Sequence, residues 1–187
     1  SRGLGDVYKR QRLEEHEDIF KKMATNEQLT DTVMNVAEEI CTMFGREGQL
    51  FLCGNGGSAA DAQHIATEFV SRFYKERPAM NAEALTVNTS TLTAIGNDYS
   101  YERVFARQLE AKAKQGDMLI AISTSGTSKN VLEALRYAKK QGIKTVLLMG
   151  DHEVPELKDI CDYVVKVPSK ITPVSYTHLR AHETLAN

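Results

Sequence analysis

Two short runs of glycine and hydroxyl residues hold the chemistry most directly readable from this sequence. The first is Cys53-Gly54-Asn55-Gly56-Gly57-Ser58, and the second is Ser123-Thr124-Ser125-Gly126-Thr127-Ser128. Each follows a short apolar run and leads into a segment of helical periodicity. Glycines let the backbone turn sharply and come close to a ligand. Ser58 is a favourable residue to cap the helix that follows, and the first N–H groups of a helix attract phosphate. The second run offers many donors and no formal charge, and oriented dipoles of that kind can hold a dianion.

Taken singly, a glycine-rich turn is an ordinary strand–helix connection and a Ser/Thr cluster an ordinary cap. Together they say more if the strand order is 2-1-3-4-5. Strands one and three are then neighbours where the order reverses, and ligands of open α/β sheets bind beyond the carboxyl ends of such strands. A rival is a dinucleotide site, because Gly54-x-Gly56-x-x-Ala59 fits its looser fingerprint. That fingerprint needs an acidic residue at the end of the second strand to hold a ribose. The second strand reads as ending Thr86-Val87-Asn88, without an acid.

The helix after the first loop carries Asp61, His64, Glu68 and Arg72. His64 and Glu68 are four apart and share one face. One reading is a plain polar face with a Glu68–Arg72 pair. The other is a His/Glu pair that binds a divalent metal or moves protons behind a phosphate loop. The stretch ending Gly96-Asn97-Asp98 admits two readings as well, a plain helix end or a corner that binds sugar hydroxyls.

The elements that must position these groups follow from periodicity. Leu13, Phe20 and Met23 keep helical spacing, as do Leu29, Val33, Val36, Ala37, Ile40 and Phe44, with Gly45 and Gly48 ending the second helix. Apolar runs at 50–53, 84–87, 118–123, 145–149 and 163–167 predict five strands. Helices are expected at 58–74, 100–114 and 128–141, with shorter ones near 90–96 and 154–160. Strands alternating with helices predict a parallel sheet covered on both faces.

The composition of the 187 residues, 42% hydrophobic and 26% charged, is that of one globular domain. A net charge of -2 with no basic stripe argues against a nucleic-acid partner. No apolar run approaches the roughly 20 residues of a membrane span, and none reads as a signal peptide. Cys41, Cys53 and Cys161 are odd in number and widely spaced, so no disulfide framework is expected. Cys53 reads as a small buried hydrophobe, and the expected compartment is a reducing cytoplasm.

Residues 53–69, 92–99 and 122–131 resemble, in order and spacing, the phosphoheptose isomerase family of sugar isomerase (SIS) domains. The resemblance runs over residues 12–173. It implies a flavodoxin-like three-layer α/β sandwich with a five-stranded parallel sheet, order 2-1-3-4-5, and N-terminal helices. It further implies a cytoplasmic homotetramer that isomerises sedoheptulose 7-phosphate to D-glycero-D-manno-heptose 7-phosphate for bacterial lipopolysaccharide. By that resemblance Asn55, Gly56, Gly57 and Ser58 line the substrate, and Asn97 and Asp98 contact sugar hydroxyls. Ser123, Thr124, Ser125 and Ser128 hold the phosphate. His64 and Glu68 bind Zn2+, and Glu68 also moves the proton.

The sequence departs from the family after Thr172-Pro173. Tyr176 and Thr184 stand where the family places a metal-site glutamine and a histidine, while His178 and His182 fall elsewhere. Residues 1–11 and 174–187 read as non-native tails, the chain as a C-terminally truncated copy, and its activity as weak or absent. Some relatives of the same fold are non-catalytic and bind the replication initiator. The retained Glu68 and the Gly56-Gly57-Ser58 run favour the enzyme.

Overall fold

Helix α2 (Glu27–Gly45) shows how the first layer is built. Asn26 caps it, its Oδ1 accepting from Leu29 N at 3.0 Å. Leu29, Val36, Ile40 and Met43 form the buried stripe. The computed structural model describes residues 2–72 and 74–169, and for residues 2–12 the backbone alone. Helix α1 (Arg2–Ala24) includes residues 2–11, where periodicity predicts no element. Ile19 is buried and Met23 packs against the core, whereas Leu13 and Phe20 are 70% and 47% exposed. The expected stripe is therefore corrected: Ile19 and Met23 pack toward the sheet, while Leu13 and Phe20 lie largely exposed.

Five strands, β1 (Leu50–Gly54), β2 (Ala82–Ala84), β3 (Met118–Ile122), β4 (Lys144–Gly150) and β5 (Tyr163–Val167), form one all-parallel sheet in the order 2-1-3-4-5. β1, β3 and β4 read as unbroken apolar runs because they are covered on both sides. One face packs α1, α2 and α3 (Gly57–Val70) against Leu50, Leu52, Ile120 and Leu148. The other packs α4 (Thr89–Asp98), α5 (Ala106–Lys112), α6 (Lys129–Lys140) and the single turn α7 (Leu157–Ile160) against Phe51, Cys53, Leu119 and Leu147. This is the expected three-layer sandwich. No helix among the described residues is long and apolar enough to cross a membrane.

Three local expectations are corrected. Strand β2 lies at 82–84 rather than 84–87. Leu85 N still donates to Leu52 O, but the Thr86 hydroxyl then bonds Gln63 Nε2 and Ala59 O and draws the chain out of the sheet. The helix expected at 100–114 is a 3-10 turn (Tyr101–Arg103) followed by α5. Ion pairs of Glu110 with Arg103 and Arg107 join that turn to α5. The shorter helix near 90–96 is fuller, capped by Asn88, whose Oδ1 accepts from Thr91 N at 2.9 Å.

Candidate active site

β1 and β3 are neighbours whose chain continuations leave on opposite faces, α3 on one and α6 on the other. Gly54 is level with Ile122 in the ladder, so both loops start at the same height at the carboxyl end of the sheet. This is the point of order reversal where α/β sheets open a crevice.

After β1 the chain closes a turn, Ser58 N donating to Asn55 O at 3.0 Å. Gly56 sits at φ 56°, a conformation open to glycine, and is itself the residue that caps α3. Ser58 is therefore not the cap. It is buried in the first turn of the helix, because the Asn55-Gly56 turn starts the helix one residue earlier.

The second loop folds onto itself. Ser123 Oγ donates to Ser128 Oγ at 3.1 Å, and Ser125 Oγ accepts from Thr127 N and Thr127 Oγ1 at 3.2 and 3.0 Å. Thr124 O accepts from Gly150 N, tying the loop to β4. Gly126 at φ 71° allows the tight bend, and a Cβ there would lie 2.5 Å from Met149 Cε. Ser128 is the N-cap residue of α6, its hydroxyl making no capping bond to the helix. Among the described residues no acceptor is found for the N–H groups of Ser125, Ser128, Lys129 and Asn130. N–H groups left without a partner at a helix N-terminus suit a phosphate.

The two loops are joined by a pair that the sequence reading did not pick out. Asn55 Nδ2 donates to Asn130 Oδ1 at 2.8 Å, and Asn130 Nδ2 donates to Asn55 Oδ1 at the same distance. Tyr101 OH adds a third bond to Asn55 Oδ1 at 3.3 Å, and Lys129 Nζ pairs with Glu102 beside it. An asparagine in the first turn of a helix reads as a surface or capping residue, so only the tertiary pairing reveals Asn130. Its one sequence signal is a polar residue ahead of the buried stripe Val131, Ala134, Leu135 and Ala138.

On α3, the spacing of Asp61, His64 and Glu68 puts them on one side of the helix, with Asp61 buried. His64 Nε2 lies 4.0 Å from Glu68 Oε1, and the Glu68 side chain is only 16% exposed. Arg72 pairs with Glu76 at 3.3 Å rather than with Glu68. Arg77 ends the helix, its guanidinium donating to Glu68 O and Phe69 O. Asn97 and Asp98 lie exposed at the end of α4, bonded to each other at 2.9 Å and joined by no hydrogen bond to either loop. An imidazole and a carboxylate at this distance supply two of the donors zinc takes. Among the described residues no group of three potential ligands completes such a site. The expectations about Tyr176, His178, His182, Thr184 and the 174–187 tail lie outside the described residues.

The dinucleotide rival loses its remaining support here. The acid nearest the end of β2 is Glu83, and its carboxylate is held by Lys112 and Gln49. Gln49 precedes β1, so Glu83 faces the amino-terminal end of the sheet, away from the loops. Cys53 is fully buried, its thiol pushed up to about 12 by burial. Cys161 is likewise pushed up to about 12, by burial and the neighbouring Asp162. Neither thiol ionises near neutrality.

A parallel five-stranded sheet with two Gly/Ser loops at its switch point defines a class, and residues 13–150 match the family model described as SIS domain. The chain is 51% identical over 161 residues to a phosphoheptose isomerase of Nitratiruptor sp., covering 86% of this chain and 84% of that one. It is 49% identical over 156 residues to a phosphoheptose isomerase of Aneurinibacillus thermoaerophilus, covering 83% and 78%. A solved structure of a phosphoheptose isomerase from Neisseria gonorrhoeae superposes with a TM-score of 0.87 at 31% identity, covering 97% of this chain and 95% of that one. The chain belongs to the SIS-domain family and, within it, to the phosphoheptose isomerase group of enzymes.

Proposed function

We propose that this chain is an aldose–ketose isomerase of heptose synthesis that interconverts sedoheptulose 7-phosphate and D-glycero-D-manno-heptose 7-phosphate through an enediol(ate), with turnover weakened where the residues after Thr172-Pro173 depart from the family. The observation that carries the reading is the Asn55–Asn130 pair, which holds the two loops side by side at the carboxyl end of β1 and β3. The phosphate is taken by the hydroxyls of Ser123, Thr124, Ser125 and Ser128 with the N–H groups at the start of α6. Asn55, Gly56, Gly57 and Ser58 line the sugar, and the exposed Asn97–Asp98 pair takes its hydroxyls. Glu68 lifts the proton from C1 of the ketose and returns it to C2, while the carbonyl moves from C2 to C1.

His64 and Glu68 are the residues of this chain that would hold a divalent cation such as Zn2+. When bound, the cation supplies charge stabilisation for the developing oxyanion. A homotetramer, as the phosphoheptose isomerase resemblance implies, is part of this reading. A sugar phosphate as substrate fits a cytoplasmic enzyme.

The test is incubation with sedoheptulose 7-phosphate in D2O, following deuterium at C1 by NMR. Exchange is expected with the phosphorylated ketose and not with unphosphorylated sedoheptulose. Ser128→Ala is expected to weaken sugar-phosphate binding about tenfold. Equal binding of phosphorylated and unphosphorylated sugar would overturn the reading.

A further inference from the structure

Asn130 is 4% exposed, the most buried amide side chain at this mouth. It contacts no expected ligand group, and its bonds go entirely to Asn55. A carboxamide has two donor protons and one acceptor oxygen, and its terminal torsion is broad and roughly two-fold unless its partners fix it. Asn55 uses its oxygen for Asn130 Nδ2 and Tyr101 OH, and one N–H for Asn130 Oδ1. Its second N–H has no acceptor among the described residues.

We infer that Asn130 is a positioning residue for substrate: it locks the Asn55 carboxamide so that this second N–H faces an oxygen of the sugar phosphate. Without the lock, the Asn55 amide turns over and presents its own oxygen to the substrate oxygen, which repels. Asn130 also belongs to α6, whose first N–H groups take the phosphate in the reading above. The lock therefore sets the spacing between the phosphate end and the sugar end of the ligand. This inference rests on the sugar-phosphate reading above and adds to it the residue that fixes the geometry.

The experiment compares affinity for sedoheptulose 7-phosphate with affinity for inorganic phosphate in the wild-type chain, Asn130→Ala, Asn55→Ala and the double variant. Asn130→Ala is expected to weaken the sugar phosphate about tenfold and inorganic phosphate less than about threefold. In the Asn55→Ala background the same change is expected to cost nothing further, because its route to the ligand is gone. The Asn55 side-chain NH2 resonances, separate and slowly exchanging in the wild type, are expected to lose their protection in Asn130→Ala. If that variant does not fold, Asn130→Asp keeps the size, removes the donor to Asn55 Oδ1 and reads the same lock. A wild-type chain that binds neither ligand sinks the sugar-phosphate reading itself. A wild type that binds both, with additive losses in the double variant, overturns the positioning role alone.

Discussion

The two ends of the parallel sheet use short polar side chains in opposite ways. At the amino-terminal end, Asp117 is 1% exposed and fully engaged. Its Oδ1 accepts from Gln49 N and Lys114 Nζ, at 2.9 and 3.1 Å, and its Oδ2 from Lys114 N at 2.8 Å. Asp162 repeats the device ahead of β5, its Oδ2 accepting from Thr145 N and Thr145 Oγ1 and its Oδ1 pairing with Lys139. Each aspartate precedes one strand and takes the N–H at the start of its neighbour. At the carboxyl-terminal end, the N–H groups at the start of α6 are left over. Closed polar networks stabilise, whereas open ones bind.

The sharpest division between the ends is expected from Glu68→Gln. Removing the proposed base should lower deuterium exchange at C1 by about 10²–10⁴-fold. The thermal midpoint should stay near that of the wild type, because the replacement has the same shape. Exchange that survives the substitution would move the base elsewhere. Asp117→Ala is the opposite probe. It removes the acceptor for two backbone N–H groups at a buried strand edge, at a cost of about 2–4 kcal/mol by denaturant unfolding. Phosphate affinity of the folded protein should not change. If it falls in step with stability, the two ends are not independent.

Gly126→Ala touches both properties and should fall between them. A side chain at φ 71° costs about 1–2 kcal/mol, while the Met149 methyl it would meet can swing away. The bend that aims Ser125 and Ser128 relaxes with it, so phosphate affinity should fall about fivefold, read by titration with inorganic phosphate. A loss of stability with unchanged affinity would show that the bend serves packing alone.

What the sequence discloses follows the same division. β1, β3 and β4 are legible because strands buried on both faces must be continuous apolar runs, and the loops are legible because glycine and serine follow such runs abruptly. β2 is less legible: Ala84–Val87 looks more strand-like than Ala82-Glu83-Ala84, and its register is set by pairing with β1 and by the bonds of Thr86. Periodicity places Leu13 and Phe20 on one stripe of α1, but what lies opposite a stripe is not written locally. The spacing of His64 and Glu68 gives a shared face and their 4.0 Å separation follows from it. The link between Asn55 and Asn130 spans 75 positions and has no local signature. Ser58 misled because Asn55-Gly56 supplies the turn that a serine cap would otherwise begin.

The smallest expected effect is a pH dependence at the closed end of the sheet. Burial opposes the charge on Asp162, but Lys139 together with the N–H and hydroxyl of Thr145 outweighs it and holds the carboxyl below the ordinary aspartate value of 3.8. A group whose folded pKa is depressed contributes stability that is present above its unfolded value and lost as pH falls through its folded one. The contribution should therefore be complete at neutral pH and decline only below about 3.8. Asp162→Asn keeps the shape and removes the charge, so the stability gap between wild type and variant should be constant from neutrality down to mildly acidic pH. Below that it should narrow, as the wild-type carboxyl takes up its proton and becomes as neutral as the amide. Urea unfolding across that range measures the gap directly. A gap that widens toward acid would mean that burial, rather than Lys139 and Thr145, governs this carboxylate, and that the amino-terminal end of the sheet is less fully satisfied than its hydrogen bonds imply.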